Sequence, residues 1–196
     1  ANLVLTTVSF TEAQQGKKIY RVGYLDGSTF SGSAALVETF RQRLRELGYV
    51  EGQGLVIEYR FADGKPDRIP DLANELVRLK VDIIVVSGGT AALAAKAATK
   101  SIPIVMAAAA DPIGAGLIDS LARPGGNITG LTTIASELSG KRLELFKEAF
   151  PGLSLVAVLF NPNEPGSAIA VKEMEVAAEG LRLQLQSFQV RGASDF

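Results

Sequence analysis

Residues 81–106 constrain the fold of this chain more than any other stretch. An almost wholly apolar run, VDIIVV (81–86), leads into Ser87-Gly88-Gly89-Thr90. Continuous β-branched residues without polar alternation are the mark of a strand covered on both faces. The alanine-rich segment 91–99 is built from good helix formers, and 102–106 (IPIVM) is apolar again. A strand, a glycine turn, a helix and a second strand make a parallel pair, because parallel strands need a long crossover between them. Polar loops then leave the sheet at strand C-termini, at 87–90 and at Ala110-Asp111-Pro112. In open parallel sheets ligands bind outside those carboxyl ends. Glycines let backbone approach a ligand, and the free N–H groups of a helix start favour an anion. The unit points to recognition of a small molecule; it does not by itself point to a reaction.

The same alternation runs through the rest of the chain. Strands are predicted at 19–25, 54–61, 81–86, 102–106, 127–131, 155–160 and 182–190. Helices are predicted at 34–47, 67–79, 91–99, 112–122, 138–149 and 167–181. Leu36, Phe40, Leu44 and Leu47 share one helix face, and Gly48 stands where a C′ glycine belongs. Ile69, Leu72, Leu76 and Leu79 form the next inward stripe, and Leu143, Phe146 and Phe150 a third. The polar loop 26–33 follows the first strand and the turn 62–66 the second. The order predicts an α/β fold of doubly wound parallel sheets. A lobe boundary is expected near 132–137, giving a first lobe over 19–134 and a second, partial lobe over 135–196. Residues 1–18 are set apart as a leader or N-terminal segment. Within it 1–10 (ANLVLTTVSF) reads either as the tail of a secretion signal or leader, or as an ordinary strand.

Composition removes whole classes of chemistry. The 196 residues include no histidine and no cysteine. Ser-His-Asp and Cys-His catalysis, histidine metal sites, disulfides and the commonest general base are all excluded. A net charge of −1 without a clustered basic tract argues against nucleic acid as a partner. No cofactor motif is present. Residues 27–33 only approach a phosphate-binding loop, lacking the lysine that reaches the phosphates. No apolar run reaches the roughly 18 residues a membrane helix needs.

Candidate binding residues gather at the predicted strand ends. Ser87, Gly88, Gly89 and Thr90 offer backbone N–H groups and two hydroxyls to a ligand carboxylate; the plainer reading makes Ser87 or Thr90 a helix N-cap. Asp111 offers a partner for a ligand ammonium, or a cap for a helix starting at Pro112. Ser28 is the candidate in the first loop. Phe30 there either stacks on an aromatic ligand or packs locally. Asn161 and Ser167 are the candidates in NPNEPGS (161–167), facing 87–90 across a cleft, against ordinary turn and cap chemistry.

Four stretches together carry a family resemblance: RVGYLDGS (21–28), 44–85 (LRELGYVEGQGLVIEYRFADGKPDRIPDLANELVRLKVDIIV), 87–131 (beginning SGGTAALAAK and ending ARPGGNITGL) and KRLELFKEAFPGLSLVAVLFNPNEP (141–165). On these the chain resembles the periplasmic solute-binding proteins of ABC transporters, of the tryptophan/tyrosine-binding type. The resemblance implies a periplasmic-binding-protein fold of two α/β lobes closing on a ligand. Family members are longer by roughly a hundred residues, which suits two full lobes, so one complete and one partial lobe are expected. It implies a non-enzymatic importer component that binds an amino-acid-like, aromatic ligand without a cofactor. An ABC permease in the membrane is the implied partner and the periplasm, free or lipid-anchored, the implied place. The alternatives are a doubly wound enzyme using Asp111 or Asp26 as base, and the sensing domain of a regulator. An unfinished second sheet also leads to the expectation of a homodimer.

Overall fold

A computed structural model describes residues 18–133, 135, 136, 138–192 and 195. The possible leader strand at 1–10 lies outside the described residues. The chain runs β1 (Tyr20–Asp26), α1 (Phe30–Glu46), β2 (Leu55–Phe61), a short 3-10 turn (Pro66–Arg68), α2 (Ile69–Arg78), β3 (Ile83–Ser87), α3 (Gly89–Ala98), β4 (Ile104–Ala110) and β5 (Ile128–Thr133). It continues through α4 (Ser139–Ala149), β6 (Leu155–Phe160), α5 (Pro165–Leu181) and β7 (Gln184–Gln189). No helix among the described residues is long and apolar enough to cross a membrane.

The first five strands form one all-parallel sheet in the order β2-β1-β3-β4-β5. Its two faces bury separate clusters. Leu25, Leu76, Ile84, Val86, Ile104 and Met106 pack beneath α2 and α3. Val22, Tyr24, Val37, Leu55, Ile57 and Val85 pack beneath α1 on the other face. Helices on both faces are what the unbroken apolar run at 81–86 demanded. Strands β6 and β7 pair in parallel as a second, two-stranded sheet, with Leu143, Ala178 and Leu183 forming a small third core. One side of that sheet is uncovered: Leu155 is 49% and Leu159 61% exposed.

The structure corrects three expectations. The predicted helix at 112–122 is a succession of turns. Asp111 (φ 41°) and Gly116 (φ 68°) adopt left-handed conformations that an α-helix cannot include. Helix α1 begins four residues early, at Phe30, because the Thr29 hydroxyl oxygen accepts from the Gly32 N–H at 3.0 Å and caps it. Strand β4 runs on through four alanines to Ala110, since pairing with β5, Ala109 to Thr132 and Ala110 to Thr133, overrides their helical preference.

An aromatic layer seals the α1 side of β1 and β2. Tyr24 lies 5.9 Å from Phe40 and from Tyr59, and Tyr59 stacks on Phe61 at 6.4 Å, centroid to centroid. The Tyr59 hydroxyl is buried there without a hydrogen-bond partner. Burial first, and then the Glu51 charge, push its ionisation from 10.0 up to about 12. The neutral phenol is therefore favoured by folding. Its contribution is complete below pH 10.0 and is lost as pH rises towards about 12. Tyr59→Phe should leave stability unchanged or raise it by up to about 1 kcal/mol at neutral pH. It should also flatten the alkaline fall in stability; urea melts of both proteins across that range check both points.

Candidate functional site

In the order β2-β1-β3-β4-β5, β1 and β3 are neighbours whose chains depart in opposite senses. Strand β1 feeds α1 on one face and β3 feeds α3 on the other. The loops diverge above the register pair Asp26–Ser87 and leave a crevice. A cavity of about 350 Å³ opens there. Its walls are Asp26, Gly27 and Ser28 after β1; Gly64, Pro66 and Ile69 after β2; and Ser87, Gly88, Thr90 and Ala91 at the start of α3. The second lobe closes it with Asn161, Asn163, Glu164 and Arg191.

The first wall is organised around Asp26, only 4% exposed. One carboxylate oxygen accepts from the Ser28 N–H at 2.8 Å, and the other from the Ser33 hydroxyl at 2.7 Å. The Ser28 and Ser33 hydroxyls are 2.7 Å apart. Both oxygens of Asp26 thus serve the loop and hold Ser28 at the cavity wall. Burial raises the ionisation of the neighbouring Tyr24 phenol, helped by the Asp26 charge and opposed by a hydrogen bond from Ser87. Ser87 and Asp26 are register partners at the C-terminal ends of β3 and β1, in the middle of the sheet. Phe30 stands off the cavity and packs edge-to-face on Phe61 at 5.4 Å.

The second wall is the N-terminus of α3. Gly88 is its N-cap at φ 87°, a conformation strained for any side chain, and supplies no side-chain cap. Neither Ser87 nor Thr90 caps the helix. The cap comes from the second lobe: the Gly89 N–H donates to Glu164 Oε1 at 3.0 Å. The Thr90 hydroxyl faces two acceptors, the Asn163 carbonyl at 2.8 Å and Glu164 Oε2 at 3.2 Å. Asn161 Oδ1 accepts from the Asn163 N–H at 3.0 Å, an Asx turn that aims the loop.

Of the residues singled out in the sequence, the structure brings Ser28, Ser87, Gly88, Thr90 and Asn161 to one cavity, with Gly89 behind them. It does not bring Asp111 or Ser167 there. Asp111 Oδ1 accepts from the Gly114 N–H at 2.9 Å and serves the turn after β4. Ser167 donates its N–H to the Glu164 carbonyl at 3.0 Å and lines a separate hollow with Ser136 and Arg142. Sequence reasoning passed over Asn163, Glu164 and Arg191, and named Asp26 only as a base in the enzyme alternative. Asp26 ends a strand, and Glu164 stands before a proline at a helix start, both of which are readable signals. Arg191 carried none. No group of acidic residues among those described is arranged to hold a metal ion.

Residues 30–196 match the family model described as ABC transporter substrate binding protein. A tyrosine-binding protein of Clostridioides difficile (strain R20291) is 36% identical over 135 residues, covering 69% of this chain and 39% of that protein. The crystal structure of a conserved domain protein from Vibrio cholerae superposes with a TM-score of 0.83 at 29% identity, over 91% of this chain and 60% of the other. An ABC domain from Streptococcus pneumonia in complex with L-Trp superposes with a TM-score of 0.79 at 27% identity, over 90% and 59%. The chain thus spans 39% of the curated relative's length and 60% of the length of the Vibrio structure.

The Asp26–Ser33–Ser28 network sets the shape of the first wall. Ser33→Ala removes the hydroxyl that answers a buried carboxylate oxygen, and should destabilise the protein by about 1–3 kcal/mol. Chemical denaturation followed by circular dichroism measures the loss.

Proposed function

The chain belongs to the ABC transporter substrate-binding protein family, and from that premise we propose that it binds an amino-acid-like, aromatic ligand in the cavity between its lobes for delivery to an importer. One observation carries the reading: a cavity of about 350 Å³ at the switch point of a parallel sheet, walled by glycine backbone and hydroxyls and closed by a loop of the second lobe. The backbone N–H groups at the start of α3, with Ser87, Thr90 and Ser28, would take the carboxylate, and Asn161 would approach from the other side. The named ligands of two relatives, tyrosine and L-Trp, support an aromatic amino acid. The family is one of binding proteins rather than enzymes. The absence of histidine and cysteine suits holding a ligand more than converting it. An ABC permease is the natural recipient and an extracytoplasmic site the natural place for such a protein. Neither nucleic acid nor a cofactor enters the reading.

Differential scanning fluorimetry against the common amino acids tests it. Tyrosine, tryptophan or phenylalanine should raise the melting temperature in a dose-dependent way and be recovered unchanged. No shift with any amino acid, or steady conversion of a bound one, refutes the proposal. Ser87→Ala and Asn161→Ala should each weaken binding in calorimetry by about 3–30-fold, the value of one or two net hydrogen bonds.

The uncovered side of β6–β7, with Leu155, Leu159 and Phe188 exposed, favours a second proposal. In this proposal the exposed apolar face is covered by a second copy of the chain, as exposed apolar patches tend to be. Sedimentation should give a dimer at tens of micromolar; a clean monomer refutes it.

A further inference from the structure

Helices α3 and α5 meet with their N-termini together, one from each lobe. Two glycines allow it. A Cβ on Gly89 would stand 2.8 Å from Glu164 Oε1 and 3.4 Å from Pro165 Cδ. A Cβ on Gly166 would stand 2.5 Å from the Ala110 Cβ at the end of β4. Both helix N-termini carry partial positive charge and unpaired N–H groups, so bringing them together is unfavourable unless an anion lies between. Glu164 supplies that anion. It occupies the N-cap position of α5, yet its side chain makes no cap bond to its own helix. Its two oxygens instead take the Gly89 N–H and face the Thr90 hydroxyl of the other lobe. Helix α3, whose own N-cap is a glycine, has its first turn completed by a carboxylate from 75 residues away in sequence.

We propose that Glu164 is an interlobe latch: its carboxylate occupies, in the empty protein, the place a ligand carboxylate takes, and the ligand binds by displacing it. This rests on the reading that the ligand carries a carboxylate at the start of α3. The chemistry is the same on both sides of the exchange, a carboxylate on one N–H and one hydroxyl, so the two groups compete directly. The latch lets the cleft close without a ligand. It also lowers affinity for any carboxylate-bearing ligand by the cost of moving Glu164 aside. A ligand without a carboxylate has no need to displace it.

The chain has no cysteine, so spin labels can be placed cleanly at Asn74→Cys on α2 and Lys172→Cys on α5, both exposed and away from the cavity. Double electron–electron resonance on the ligand-free protein should give one narrow interlobe distance. Glu164→Ala should lengthen and broaden it, with the isosteric Glu164→Gln between the two. Identical distributions in all three, or a broad one already in the parent, overturn the latch. Calorimetry then uses L-tyrosine and its carboxamide, tyrosinamide. Glu164→Ala should tighten tyrosine binding by about fivefold or more without tightening that of tyrosinamide. Weaker tyrosine binding would instead make Glu164 a partner of the ligand's ammonium and overturn the proposal. If the parent binds neither compound, the amino-acid reading of the cavity fails, and the distance measurement alone decides the latch.

Discussion

The pairing of β1 with β3 is the contact on which the rest of the structure depends. Five register pairs, from Val22–Ile83 to Asp26–Ser87, place side by side two strands that are separated in sequence by all of α1, β2 and α2. Because the chain adds strands outward in both directions from this pair, the connections leave on opposite faces. The loops above it must part, and the cavity is the result. Leu25 and Ile84, both fully buried beneath α2 and α3, hold the pair in place. Moving that contact by one residue would turn the apolar side chains of a strand towards the wrong helix layer.

The second lobe contributes little core and much of the site. Its buried centre is small, and its sheet has two strands. Yet α5 brings a loop of asparagines and a glutamate to the open end of the cavity, held by hydrogen bonds to α3 rather than by apolar packing. Such a contact can part at low cost. Few apolar groups are exposed when it parts, and the polar partners find water.

The chemistry of the cavity follows from what the chain lacks. Without histidine or cysteine, its polar groups are backbone N–H groups, hydroxyls, amides, two carboxylates and one guanidinium. One of those carboxylates, Asp26, has both oxygens engaged in shaping its own loop. What remains offers hydrogen bonds and charge.

Much of the first lobe was legible from residue order alone, because its signals are local. The unbroken apolar run of β3, the stripe of Ile69, Leu72 and Leu76 on α2, and Gly48 at φ 86° after α1 each report a backbone state within one element. The parallel sheet and the placing of 87–90 at a strand end followed from those. The turns at 112–122 were not legible, since alanine and leucine there suit a helix and only the left-handed Asp111 and Gly116 break it. The roles of the site residues were decided in three dimensions. Asp111 and Ser167 have the side chains a ligand would want, but the Asp111 carboxylate serves a local turn and Ser167 lines a separate hollow. Glu164, readable in sequence only as a residue before a helix-starting proline, gains its place because α3 starts on a glycine and α5 arrives opposite. A sequence carries the periodicities that make helices and strands. Which helix end faces which, and whose carboxylate fills the gap, is settled only when two lobes pack.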